Sequence, residues 1–310
     1  GRLSRGIRGA GVLHPELDLG VKRLQDYGVR GKFLPHALDG LESLAAHPEH
    51  RAQDLLDAFR DPEIDAILCA IGGGDALVGR GKYCDYPESI SALPVVQSGA
   101  ETNIEEILAL DPQVVLMSDM SQTEEQAKLL EQNGVQVVIS DANDIAGVYT
   151  AIRMIGALMA KDDAAEALIG DMQATFDEIA AKSEKSGKTI YFEVSPLQWG
   201  LWTAGSGTFM DELATMCGVT NAFADISGWQ SVSEEQVIER NPDYIVSIAG
   251  MGDTAVEEIL GRDGWGDISA VKNGSVYNAD SNAISRPGPR LKDAAIELYD
   301  FINGVEAEEA

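Results

Sequence analysis

Two stretches of this chain repeat one local design 130 positions apart, and that repeat constrains the fold more than any other feature. The first runs from Asn103 to Ser118 and the second from Ser233 to Ile248. In each, a glutamate (Glu105, Glu235) precedes a proline (Pro112, Pro242) by seven residues, and a short apolar run follows the proline. Proline cannot continue a helix, so each unit reads as a helix with a polar start that stops before proline and feeds a buried parallel strand. A unit used twice at this spacing implies two similar α/β lobes; the plainer reading is a chance likeness between ordinary αβ units.

Further segments extend the pattern. Val135–Ser140 reads as a strand after a helix over Thr123–Gln132, and Thr189–Val194 and Ser275–Asn278 read as strands in the second half. Alternation of this kind predicts mostly parallel sheets covered by helices. Asp144–Glu184 lacks proline and carries Ala, Glu, Met and Leu at helical spacing, with a fresh helix start at Asp162-Asp163. The expectation is therefore α/β, with two Rossmann-like lobes joined by a long helical connector and a ligand cleft between the lobes. The divisions fall at 1–74, 75–143, 144–184 and 185–310. A helical connector is stiff, unlike a Gly/Ser linker.

Charge divides the chain differently. Of 310 residues, the first 60 hold nine Lys/Arg and eight Asp/Glu, leaving 14 and 43 for the remainder. All four histidines (His14, His36, His47, His50) lie in the first 50. A step this large suggests two segments of different history. The acidic part should repel nucleic acid and anionic membrane, although acidity can also serve solubility alone. No apolar run reaches the roughly 18 residues that span a bilayer. No signal segment is visible in the opening GRLSRGIRGAG, as in a mature chain. Cys69, Cys84 and Cys217 show no metal-site spacing; Cys84 and Cys217 could pair in an oxidising compartment or stay buried thiols.

Three motifs in order carry a family resemblance: Leu77–Pro87 (LVGRGKYCDYP), Leu93–Gly99 (LPVVQSG) and Asp280–Arg290 (DSNAISRPGPR). With the duplicated units, they resemble the class III (helical-backbone) substrate-binding proteins of ABC importers for iron-siderophores, haem and cobalamin. The likeness covers about residues 65–305, and the ending resembles the iron-chelate branch in particular. It implies an extracytoplasmic, non-enzymatic protein, periplasmic or lipid-anchored at the cell surface. It implies no cofactor, since any iron or cobalt belongs to the chelate. The implied partners are that chelate and a membrane permease, with the protein itself a monomer.

The start departs from that family. His14–Gly28 and Pro48–Gly73 resemble the amino-terminal part of LD-carboxypeptidase-type serine peptidases, the microcin-immunity branch. That family's nucleophilic serine lies beyond the Gly-Gly, where this chain has changed pattern, and no histidine follows His50. The junction Asp65–Asp75 satisfies both families, as a strand in one and as a helix ending at glycine in the other. If residues 54–60 and 65–71 keep their peptidase roles, a helix and a strand replace the first unit of the lobe.

In a two-lobed α/β protein, ligand contacts gather on loops at the carboxyl ends of strands. In the first lobe these are Tyr83, Tyr86, Gln97, Ser98, Ser118 and Met120. In the second, Ser195–Phe209 offers Trp199 and Trp202 as flat apolar faces, Ser206 as a polar contact, and Gly205 and Gly207 as points of close backbone approach. Trp229 faces either the cleft rim or the core, and Trp265 reads as structural. Arg286 and Arg290 make the most cationic spot of the acidic part, suited to carboxylate or catecholate oxygens or else paired with Asp280 or Asp293. Tyr83 or Met120 could serve haem as an axial ligand. The resemblance places permease docking on Glu105 and Glu235, with Glu106 and Glu234 as alternatives; an acid in a first turn also favours the helix dipole.

The chain contains no Walker A motif, no GxSxG and no clustered metal ligands. The reading is therefore capture and delivery of a metal chelate. Two alternatives stand beside it: a chimera that keeps the fold but binds poorly, and an LD-carboxypeptidase-like enzyme.

Overall fold

The computed structural model describes residues 57–58, 62–82, 84–98, 101–118, 124–140, 142–248 and 254–304, in two compact units. The first unit comprises the described residues up to 140 together with 150–168; the second comprises 142–149 and 169–304.

The first unit is built on a six-stranded sheet. Strand β1 (Asp57–Ala58) is followed by helix α1 (Pro62–Ala70), β2 (Gly79–Gly81), β3 (Val95–Ser98) and β4 (Glu101–Thr102). Helix α2 (Ile104–Ala109), β5 (Val114–Ser118), α3 (Glu124–Gln132) and β6 (Gln136–Ser140) complete it. The strand order is β4-β3-β2-β1-β5-β6, parallel except for the β3–β4 pair. Residues 65–71, a strand in the peptidase pattern, instead lie in α1 and its end at Ile71. The helix stops where the chain turns at Gly72, whose φ of +77° suits glycine. The missing strand comes from further upstream. Asp57 and Ala58, in a stretch that the same pattern reads as helix, pair with both β2 and β5 and so stand inside the sheet. Of the peptidase-like segment, residues 1–56 and 59–61 lie outside the described residues.

The two repeats fold alike, for the same local reasons. Asn103 caps α2 by accepting from the Glu106 amide through Oδ1 at 3.0 Å. In the second unit Ser233 caps the corresponding helix in a reciprocal capping box with Gln236. After each helix one residue takes positive φ, Asp111 at +51° and Asn241 at +45°, and proline follows. Each proline then opens onto a buried strand, with Val114–Leu116 in one case and Tyr244–Ser247 in the other.

Helices α4 (Ile145–Leu158) and α5 (Asp162–Lys182) occupy the segment expected to be the connector, with the break at 159–161 before Asp162. They approach closely at Gly156, where a Cβ would stand 2.5 Å from that of Ala165. Nearby, Arg153 donates to Glu166 at 2.7 and 3.1 Å.

In the second unit the elements are β7 (Thr189–Glu193), β8 (Trp202–Ala204), α6 (Phe209–Met216), β9 (Thr220–Asn221) and β10 (Trp229–Ser231). Then come α7 (Glu234–Arg240), β11 (Tyr244–Ser247), α8 (Ala255–Leu260), α9 (Ser269–Asn273), β12 (Val276–Asn278), α10 (Ser281–Ile284) and α11 (Leu291–Asn303). Four parallel strands lie in the order β12-β11-β7-β9, and β8 and β10 form a separate antiparallel ribbon. β11 is buried throughout, and β7 from Ile190 onward, as a sheet covered on both faces requires. Tyr191, Phe223, Val237, Ile245, Ile259 and Trp265 pack one core cluster.

No disulfide joins Cys69, Cys84 or Cys217, and Cys84 and Cys217 are both buried, in line with the reading as buried thiols. Burial pushes the Cys217 thiol up to about 12, which makes it a poor nucleophile at neutral pH.

The charge balance has a measurable consequence. In residues 61–310, 43 carboxylates face 14 cations, so most cannot be paired. Self-repulsion opposes the compact state and salt screens it. Raising NaCl from about 0.05 M to about 1 M, which shortens the screening length from over 10 Å to about 3 Å, should raise the thermal midpoint. A falling midpoint would show that exposed pairs such as Lys182–Glu178 outweigh the repulsion, against their usual small worth.

Candidate functional site

In the first unit, β2, β3 and β5 run parallel, so the residues after Gly81, Ser98 and Ser118 share one edge of the sheet. Tyr86 is 48 % exposed beyond β2, Gln97 is buried within β3, and Ser98 and Ser118 close β3 and β5. Tyr83 and Met120 lie outside the described residues. A residue that the sequence did not flag organises this edge. The Arg80 guanidinium donates to the carbonyls of Gly81 at 3.2 Å, Lys82 at 3.3 Å, Cys84 at 2.9 Å and Ser91 at 3.1 Å. One planar fork thus gathers the carbonyls of the loop that carries Tyr86. A cavity of about 230 Å³ lined by Leu108, Asp111, Pro112, Asn133, Gly134 and Val135 lies at the opposite edge, before β5 and β6 begin.

In the second unit the loop after β7 is tied back onto β8. The Val194 amide donates to the Trp202 carbonyl at 2.9 Å, and Ser195 bridges Trp202. A 3-10 turn over Leu197–Trp199 lifts Trp199 into solvent at 73 % exposure, and Trp202 is 43 % exposed. Large aromatic faces are costly to leave in water, so this pair is the unit's clearest exposed apolar surface. Trp229 is different: half-buried, it packs against buried Phe209 with ring centroids 5.4 Å apart.

The glycine-rich turn is committed internally. A Cβ on Gly205 would stand 2.3 Å from the Ile226 carbonyl oxygen, so the close approach there is to the protein's own backbone. The Gly205 amide donates to Gly228 O at 2.8 Å, and both the Ser206 amide and its Oγ donate to Ile226 O, at 2.7 and 2.9 Å. The reading of Gly205 as a point of ligand approach is corrected accordingly, and the Ser206 hydroxyl proton is already engaged. Gly207 takes a φ of +77°, which serves the turn.

Arg286 and Arg290 are both half-buried in the segment between α10 and α11. Arg290 opens α11. Burial raises the Asp293 carboxyl, and the charges of Lys292 and Arg290 pull it back. Arg290 is therefore partly engaged with Asp293 electrostatically.

Beneath the Trp199 loop lies a buried ionic group. Glu193, the last residue of β7, accepts from Arg262 at 2.6 and 2.8 Å, with both side chains 2 % exposed. Glu258 also accepts from Arg262 Nε at 2.9 Å. Burial raises the Glu193 carboxyl and the Arg262 hydrogen bonds oppose the shift. Burial also works against the Arg262 cation, but the bonds from Glu193 and Glu258 outweigh it and its pKa rises. With two short bonds to a fixed cation, the pair is read as ionised at neutral pH. The only sequence signal was a glutamate closing an otherwise apolar strand.

The repeat also sorts the acidic candidates. Glu105 and Glu235 both take the second position of their helices and are exposed. Glu106 instead accepts from Asn103 Nδ2 at 3.0 Å, and Glu234 accepts from Trp265 Nε1 at 2.9 Å.

Residues 58–283 match the periplasmic binding protein family. The chain belongs to that family. Residues 3–79 also match the LD-carboxypeptidase N-terminal domain, so both matches claim 58–79. Among relatives, an uncharacterised ABC transporter substrate-binding lipoprotein, YvrC of Bacillus subtilis, is 34% identical over 248 residues, 78% of this chain and 77% of its own. A vitamin B12-binding protein of Salmonella choleraesuis is 28% identical over 76% of this chain and 86% of its own. A solved structure of a possible iron-binding (periplasmic solute-binding) protein of Staphylococcus epidermidis superposes with a TM-score of 0.68 at 30% identity, covering 79% of this chain and 97% of that one. A periplasmic haem-binding protein holding two haems shares the fold, with a TM-score of 0.71 at 23% identity over 80% and 97% of the two chains.

Proposed function

We propose that this periplasmic binding protein is the extracytoplasmic substrate-binding component of an ABC importer. It captures a metal chelate, an iron-siderophore or the related haem or cobalamin, and delivers it to a membrane permease. The observation that carries this reading is the exposed Trp199–Trp202 pair, held on a loop tied to the carboxyl end of β7. Relatives named for B12 and a similar structure of a possible iron-binding protein support the chelate class. Tyr86, Gln97, Ser98 and Ser118, with Tyr83 and Met120, supply contacts from the first unit. Arg286 and Arg290 supply cationic ones from the second, and Trp229 and Ser206 support the second-unit surface. Glu105 and Glu235, exposed at equivalent helix positions, are the docking acids.

The chain acts by binding, not catalysis, and works as a monomer. No histidine follows His50, so a Ser-His-Glu arrangement cannot form beyond the peptidase-like segment. Among the described residues no helix is long and apolar enough to cross a membrane. The lipoprotein relative supports a place outside the cytoplasm.

Titrating tryptophan fluorescence with cyanocobalamin, haemin and a ferric hydroxamate siderophore tests this. One of the three should produce saturable quenching at a micromolar or lower Kd. Unchanged emission for all three in a folded sample would defeat the reading, and hydrolysis of an LD-linked dipeptide would revive the peptidase.

A further inference from the structure

The first turn of α7 is tethered to the core by a fully buried side chain. Trp265 is fully buried, edge-on to Tyr191 with centroids 6.5 Å apart, and its Nε1 donates to Glu234 at 2.9 Å. The Arg262 guanidinium lies 4.5 Å above the Trp265 ring and grips Glu193 at the end of β7. Contacts therefore run without a gap from the strand that bears the tryptophan loop to the residue beside Glu235. The capping box of Ser233 and Gln236 fixes the local start of α7, but it leaves the rotation of that turn relative to the sheet unspecified. A rigid, fully buried indole N–H on the half-buried Glu234 carboxylate does specify it. The first repeat has Ile104 at the position of Glu234, so this tether belongs to the second unit.

We propose that Trp265 is a positioning residue for permease recognition: through Glu234 it holds Glu235 in the orientation that the permease binds. The proposal rests on the docking role given to Glu235 above. Trp265→Phe keeps a buried ring and removes the N–H. Ligand Kd should stay within about twofold, while affinity for the permease in nanodiscs falls about tenfold, the loss of one hydrogen bond to a charged group. Glu234→Leu should reproduce that split and covers the case in which Trp265→Phe does not fold. Glu234→Gln, which keeps an acceptor for the indole, should restore near-native permease affinity. If Trp265→Phe and Glu234→Leu leave permease affinity intact while Glu235→Arg abolishes it, the tether has no positioning role. If Glu234→Gln loses as much as Glu234→Leu, the Glu234 charge itself docks and the proposal is overturned. A parallel loss of ligand and permease affinity would reduce Trp265 to scaffold. If Glu235→Arg changes nothing, the docking reading fails first.

Discussion

Arg262→Met should lower unfolding free energy by about 3–5 kcal/mol, the usual cost of leaving one member of a buried ion pair alone. Glu193 would then keep its carboxylate in a 2 % exposed site with both of its charge-assisted bonds gone. Glu258 would lose its partner more cheaply, because its side chain is 39 % exposed. The pH dependence gives the signature. In the variant nothing opposes the burial that raises the Glu193 pKa, so the folded value lies above the unfolded one. The folded state then binds the extra proton, and stability is greatest below the unfolded pKa and is lost as pH rises through the folded pKa. The variant should therefore recover part of its deficit on acidification from neutral pH, more than the parent does over the same window. Pairing the change with Glu193→Leu removes the stranded charge and should return most of the loss. Urea midpoints across pH decide the matter. A deficit below about 1 kcal/mol, independent of pH, would mean that water reaches Glu193 and the group is not buried in solution.

The ion pair also marks where sequence reasoning stopped. The duplicated units were legible because their signals are local: a capping residue, an acid in the first turn and a proline past the end. The strands at 136–140, 189–193 and 276–278 were legible by their apolar runs. The junction was not, because 65–71 is too short for its periodicity to separate helix from strand. What decides it is the pairing of Asp57 and Ala58 with β2 and β5, a long-range fact with two residues of local signal. The site divides in the same way. Exposure of Trp199 and burial of Trp265 followed from their neighbourhoods in the sequence. Arg80 stands inside the LVGRGKYCDYP motif, but nothing in the motif tells that its guanidinium gathers four carbonyls, and the Arg262–Glu193 pair joins residues 69 positions apart. Gly205 was the instructive miss: a glycine demanded by a carbonyl at Ile226 looks, in sequence, the same as one cleared for a ligand.

Trp199→Ala should weaken binding of whichever chelate quenches the protein by about thirtyfold, the scale of a desolvated aromatic anchor worth about 2 kcal/mol. Its stability should hardly change, because Trp199 is 73 % exposed and removing it opens no core cavity. Trp202→Ala should act in the same direction but less cleanly. Its backbone holds the loop through the Val194 amide and pairs with Ser231 in the ribbon, so the main-chain framework survives while the ring is lost. The two rings sit three residues apart on one tied loop, so their losses should not add in the double variant. Trp199→Phe separates area from chemistry, and retention of most of the affinity would assign the contact to a flat apolar face, which suits a corrin or porphyrin. Loss equal to that of alanine would favour a contact through the indole N–H, as an oxygen-rich siderophore would accept. Calorimetry measures all four variants without relying on the fluorescence that the substitutions remove. Wild-type affinity in both single alanine variants would move the ligand surface away from this loop and onto the arginine segment at 286–290.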